Sequence, residues 1–161
     1  MNEHEEWFKE AGRVALGALC LRAKCGAVIV ASDGVMIGSG YNAPPTDDVS
    51  VRKCLSKNYD RTKKPKYDLT CCVHAEWRAI IDALKNDAEK VRGATLYYVR
   101  LSDEGNIRPS GKPFCTVCSR LALDVGISAF GLWHEDGVML YDANDYNERS
   151  YMYHEQDGGV N

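Results

Sequence analysis

A chain of 161 residues with 45% hydrophobic content is the size of one ordinary domain that can bury its own core. Its 23 acidic residues outnumber 20 basic ones, for a formal net charge of -3. This excludes a global basic field for gripping a nucleic-acid backbone but permits a local patch. No apolar run is long enough to span a bilayer, and Met1-Asn2-Glu3-His4-Glu5-Glu6 is acidic where a signal peptide is basic, so a cytoplasmic location is expected. In that compartment seven cysteines point to metal ligation and buried thiols in place of disulfides.

Trp7, Phe8, Ala11, Val14, Ala15, Ala18 and Leu19 recur at helical spacing, which predicts an amphipathic helix over residues 3 to about 22. Residues 25–31 form a short apolar, β-branched run. Ser32-Asp33-Gly34 turns the chain into a second strand over 35–41, completing a largely buried hairpin. Gly38 and Gly40 let the backbone of that strand approach something closely, and Asn42-Ala43-Pro44-Pro45 ends it. Residues 43–70, with prolines at 44, 45 and 65 and the cluster Arg61, Lys63, Lys64 and Lys66, read as a long basic loop. It is either a solvated insertion, or a lid or phosphate-contacting flap.

From His74 a helical pattern runs to about Asn86 or Lys90, and Gly93 breaks it before a third strand over 94–99. Residues 102–112 read as a loop, and 119–125 continue a helix that stops at Gly126. Strands over 127–133 and 137–141 follow, then a short helix and a loose tail in 142–161. Alternating strands and helices predict a single α/β layered domain over residues 1–161, with 43–70 as a loop insertion and 142–161 as a C-terminal extension.

Two short motifs carry chemistry. His74-Ala75-Glu76 supplies one imidazole and one carboxylate, and Cys115-Thr116-Val117-Cys118 supplies two thiols. One His and two Cys make a three-ligand zinc site that leaves the fourth position to water. Glu76, two residues from the ligand His74, is then the spare carboxylate that takes the water's proton and passes it to a leaving amine. H-x-E followed by C-x-x-C is the signature of zinc-dependent nucleobase deaminases. Each motif opens a helix, whose N-terminal partial positive charge favours thiolates.

On these motifs, on Cys25-Gly26-Ala27-Val28-Ile29-Val30 through Gly40-Tyr41-Asn42, and on Gly93-Ala94-Thr95-Leu96-Tyr97 and Asp124-Val125-Gly126-Ile127, the chain resembles the cytidine deaminase superfamily. Within it the chain is most similar to the deoxycytidylate deaminase branch. The resemblance implies a three-layer α/β/α fold, a mixed sheet of about five strands with helices on both faces, and zinc between two helix N-termini. It implies attack of hydroxide on C4 of a cytosine nucleotide, most simply dCMP, with Glu76 returning protons to N3 and to ammonia, and Asn42 and Ala75 contacting substrate. It also implies a homo-oligomer, and a second, structural zinc for which Cys20, Cys54 and Cys71 or Cys72 are candidates, with Cys25 in reserve.

The chain departs from the branch in three places. Phe114 separates Pro113 from Cys115, Trp77-Arg78 replaces Gln-Asn after the Glu, and Ala43 replaces the Gly of the allosteric nucleotide site in regulated members. Activation by dCTP and inhibition by dTTP are therefore not expected. Trp77 reads as core and Arg78 as a solvated helix charge, while His4, His134 and His154 have no recognisable partner. Two other functions stay open. One is a deaminase acting on a base in single-stranded nucleic acid or tRNA, which would need a basic, aromatic-rich groove. The other is a catalytically silent zinc-binding module.

Overall fold

Asn2 starts helix α1 (Glu3–Ala15) by accepting the His4 N–H on its side-chain oxygen, and Glu3, Glu5 and Glu6 place negative charge in the first turn. The structure, a computed structural model, describes residues 2–54 and 70–152. The basic cluster of residues 61–66 and the lid reading attached to it lie outside them, as does His154. The helix ends well short of residue 22. Gly17 is a poor helix former, and the Leu19 N–H donates to the Asn42 carbonyl at 3.1 Å instead of to a helical neighbour.

The described residues form a six-stranded sheet of β1 (Cys25–Val30), β2 (Met36–Tyr41), β3 (Thr95–Leu101), β4 (Ile107–Arg108), β5 (Ala129–His134) and β6 (Gly137–Asp142). The order is β2-β1-β3-β5-β6, with β4 paired to β3. Every pairing is antiparallel except β3 with β5, so the sheet is mixed. Strand β4 corrects the reading of 102–112 as a loop: Gly105 takes φ 84°, and the Ser102 N–H donates to the Asn106 carbonyl at 2.7 Å, closing a hairpin. Two paired residues are too few to announce a strand by alternation.

Helices cover both faces in three layers. On one face Phe8, Ala11 and Ala15 of α1 pack with Val28, Val30, Tyr97, Val99 and Leu101. On the other, α2 (Ala75–Asp87), α3 (Thr116–Val125) and α4 (Ala143–Tyr151) pack their apolar sides over Ala27, Ile29, Leu96 and Phe130. What approaches Gly38 and Gly40 is α2. A Cβ on Gly38 would lie 2.4 Å from the Ala79 carbonyl oxygen, and one on Gly40 would lie 2.4 Å from the Ala79 nitrogen. The missing side chains let α2 sit directly on β2, which fixes where its N-terminus falls. Helix α3 crosses over between the parallel pair β3 and β5 and stops at Gly126, whose φ of 92° suits a left-handed cap. No described helix is long and apolar enough to cross a membrane.

Candidate metal centre and active site

His74 is the N-cap of α2 and Cys115 the N-cap of α3, so both motifs stand where unpaired backbone N–H groups collect. The Cys115 thiol accepts the Cys118 N–H at 3.3 Å. His74 Nδ1 lies 3.1 Å from Cys118 Sγ and 3.4 Å from Cys115 Sγ, and the two sulfurs are 2.6 Å apart without a disulfide between them. All three donor atoms fall within 4.8 Å of one another, the one such group among the described residues. Two thiols and an imidazole are a donor set suited to zinc, and a three-protein-ligand site leaves a fourth position open. His74 Nε2 is 3.4 Å from the Thr70 hydroxyl, a second partner of the kind that fixes a ligand's ring orientation.

Glu76 lies in the first turn of α2 and is buried. Burial, with the Cys115 thiolate next, raises its pKa to about 7, against the pull of the His74 charge and a hydrogen bond from the Cys118 side chain. At Cys115 the Cys118 side chain does most to lower the pKa to about 5, with His74 adding to it against the cost of burial. A bound divalent cation adds its own charge to this balance and favours every anionic form.

His74, Glu76 and Cys115 border a cavity of about 220 Å³ whose lining also includes Asn42, Ala75, Tyr98, Arg100 and the half-exposed Phe114. Ala75 is fully buried. Asn42 accepts the Cys25 N–H at 2.8 Å and donates to the Ala23 carbonyl at 2.8 Å, which leaves one donor and one acceptor site of its amide. The Tyr98 hydroxyl donates to Cys25 Sγ at 3.1 Å, and burial before all else raises the pKa of that thiol to about 11. Tyr98 and Arg100 escaped the sequence reading. Counting by twos from the core residue Leu96 would have placed both on the face that α2 covers.

The cysteines proposed for a second zinc also meet here. The Cys72 side chain reaches those of Cys20 and Cys71, and Cys71 reaches that of Cys54. Six of the seven cysteines line this one cavity. Arg78 is not a solvated charge: it donates to Asp47 Oδ1 at 2.8 Å and the Pro44 carbonyl at 2.9 Å, and it lies 5.2 Å over the Tyr41 ring. Trp77 is only half-buried and stacks on His74, with centroids 5.2 Å apart and planes 22° apart, so it backs the imidazole ring and is not plain core. His4 and His134 do have partners, the Tyr97 and Tyr141 hydroxyls at 2.7 and 2.9 Å.

The family model described as "Cytidine and deoxycytidylate deaminase zinc-binding region" matches residues 1–132. No curated protein sequence matches the chain. Among solved structures, cytidine deaminase from Burkholderia pseudomallei is similar with 21% identity and a TM-score of 0.59, over 91% of this chain and 96% of that one. The dCMP deaminase of cyanophage S-TIM5 in apo form is similar with 19% identity and a TM-score of 0.52, over 81% and 82%. At these identities the likeness concerns the fold.

Proposed function

The chain belongs to the cytidine and deoxycytidylate deaminase family, and from that premise we propose that it is a zinc-dependent hydrolytic deaminase converting dCMP to dUMP and ammonia. The observation that carries this reading is the convergence of His74, Cys115 and Cys118 beside the buried Glu76 at the edge of a cavity. A purely structural zinc site has no use for a buried acid there, which weighs against a silent module.

His74, Cys115 and Cys118 would hold zinc, which would supply a Lewis acid that makes water nucleophilic near neutral pH. Glu76 accepts a proton from the attacking water as the water oxygen bonds to C4 of the cytosine ring, and it delivers a proton to N3. A second proton passes through the same carboxylate to the exocyclic nitrogen. The C4–N bond then breaks and ammonia leaves. A pKa near neutrality suits a group that must both take and give a proton in one cycle. Asn42 and Ala75 hold the substrate against this carboxylate, and the carbonyl of Phe114 accepts from the departing amine.

A second zinc held by Cys20, Cys54, Cys71 and Cys72 belongs to the same proposal. The four thiols touch pairwise, Cys20 with Cys72, Cys72 with Cys71 and Cys71 with Cys54, and closing them round one ion would draw them nearer together than they lie here. Seven free cysteines fit the reducing cytoplasm, and by family resemblance the working state is a homo-oligomer.

The test is ammonia release with matched ultraviolet spectra from zinc-loaded protein given cytosine, cytidine, CMP, dCMP, dCTP and guanine compounds in parallel. Preference for dCMP is expected. Silence on all of them, or equal activity in a Glu76→Ala variant, contradicts the proposal.

A further inference from the structure

The cavity joins two kinds of chemistry. Near His74, Glu76 and Cys115 it holds the proton-transfer and metal-donor groups, and Arg100 is the sole Arg or Lys among the described residues of its lining. Arg100 reaches this place through strand register. On β3 the side chains of Leu96, Tyr98 and Arg100 share one face, and Leu96 is in the core beneath α2. Arg100 pairs with Cys25 of β1, which lines the same cavity.

Neighbouring arginines are committed to the protein. Arg22 donates to the Cys54 carbonyl, Arg52 to the Leu19 carbonyl, and Arg78 to Asp47 and Pro44. Arg100 is exposed and has no carboxylate or carbonyl acceptor among the described residues. Directly across the β3–β4 pair stands Arg108, also exposed and also without one. Like charges placed opposite each other on paired strands repel. An anion held beside them removes that penalty, and a guanidinium matches the fork of a phosphate better than any other side chain.

We propose that Arg100, supported by Arg108, binds the 5′-phosphate of the substrate and so makes this site one for a mononucleotide and not a nucleoside or free base. This rests on the deaminase reading above and deepens it. The heterocycle meets Glu76 while the phosphate remains at the rim where Arg100 is reached from solvent.

The test compares zinc-loaded wild type with Arg100→Gln and Arg100→Lys in two measurements: calorimetric binding of dUMP and deoxyuridine, and kcat/KM for dCMP and deoxycytidine. Wild type is expected to bind dUMP more tightly than deoxyuridine. In Arg100→Gln that preference, and the dCMP to deoxycytidine ratio, fall about 10- to 100-fold, as loss of a charged hydrogen bond implies; Arg100→Lys keeps part of both. Matching unfolding midpoints show that the variants are folded. Equal loss on phosphorylated and unphosphorylated ligands, no loss, or no dUMP binding by wild type overturns the assignment. Absence of deamination together with an Arg100-dependent dUMP preference would sink the deaminase reading and leave the phosphate site standing.

Discussion

His74 Nδ1 and Cys118 Sγ lie 3.1 Å apart although 44 positions separate them in the chain. Cys118→Ser replaces a thiolate with a hydroxyl that stays protonated, so zinc affinity should fall by more than the about 10- to 100-fold that losing an outer-shell partner costs. Metal content after dialysis against a chelator, followed with activity, checks this. Retention of zinc equal to wild type would count against Cys118 as a ligand.

Glu76→Gln keeps the size of a buried side chain and removes its proton chemistry. Turnover is expected to drop about 10²- to 10⁴-fold, the usual share of a general acid–base, with catalytic zinc retained. A variant that loses zinc along with activity would move Glu76 from proton transfer to metal binding.

Gly40→Ala touches no ligand. Its Cβ would meet the Ala79 nitrogen and the Ala75 carbonyl, at 2.4 and 2.5 Å, and these are helix backbone that cannot step aside as a flexible side chain can. Overpacking of this kind costs about 1–3 kcal/mol. Chemical denaturation should record that loss, and zinc titration should show weaker binding because α2 carries His74 at its N-cap.

Trp77 stacks on His74, yet its indole Nε1–H is buried with no acceptor among the described residues. Trp77→Phe keeps a ring against the imidazole and removes the unpaired donor, whose burial costs about 1–3 kcal/mol. The expected result is stability equal to or above wild type, whereas Trp77→Ala loses stability and zinc affinity together. Denaturation midpoints for the pair separate stacking from simple filling.

Cys54 meets Cys71 but lies outside the His74 group. Cys54→Ser should lower zinc from two ions per chain to one, read by elemental analysis after desalting. Wild type holding a single ion would remove the second site.

The residues that cluster as possible metal donors were legible because each motif is local: three residues open α2 and four open α3. The strands were legible too, since residues 25–30 and 95–101 are apolar and β-branched enough to declare themselves. What the sequence hid depends on contacts between distant positions. The end of α1 is set by a bond from Leu19 to Asn42, and the work of Arg78 is set by Asp47, 31 positions away. The meeting of Cys20 with Cys72 is likewise visible only once the chain has folded.

The single parallel seam, β3 against β5, is where the two parts of the centre meet. His74 belongs to a segment whose neighbours β1, β2 and β3 pair antiparallel among themselves, and α3, which carries the two thiols, leads into β5 on the far side of the seam. An ion held by all three donors would clasp α2 to α3 across that seam. Its removal should first loosen α3, β5 and β6, which amide exchange would register as a loss of protection on one side of the seam before the other.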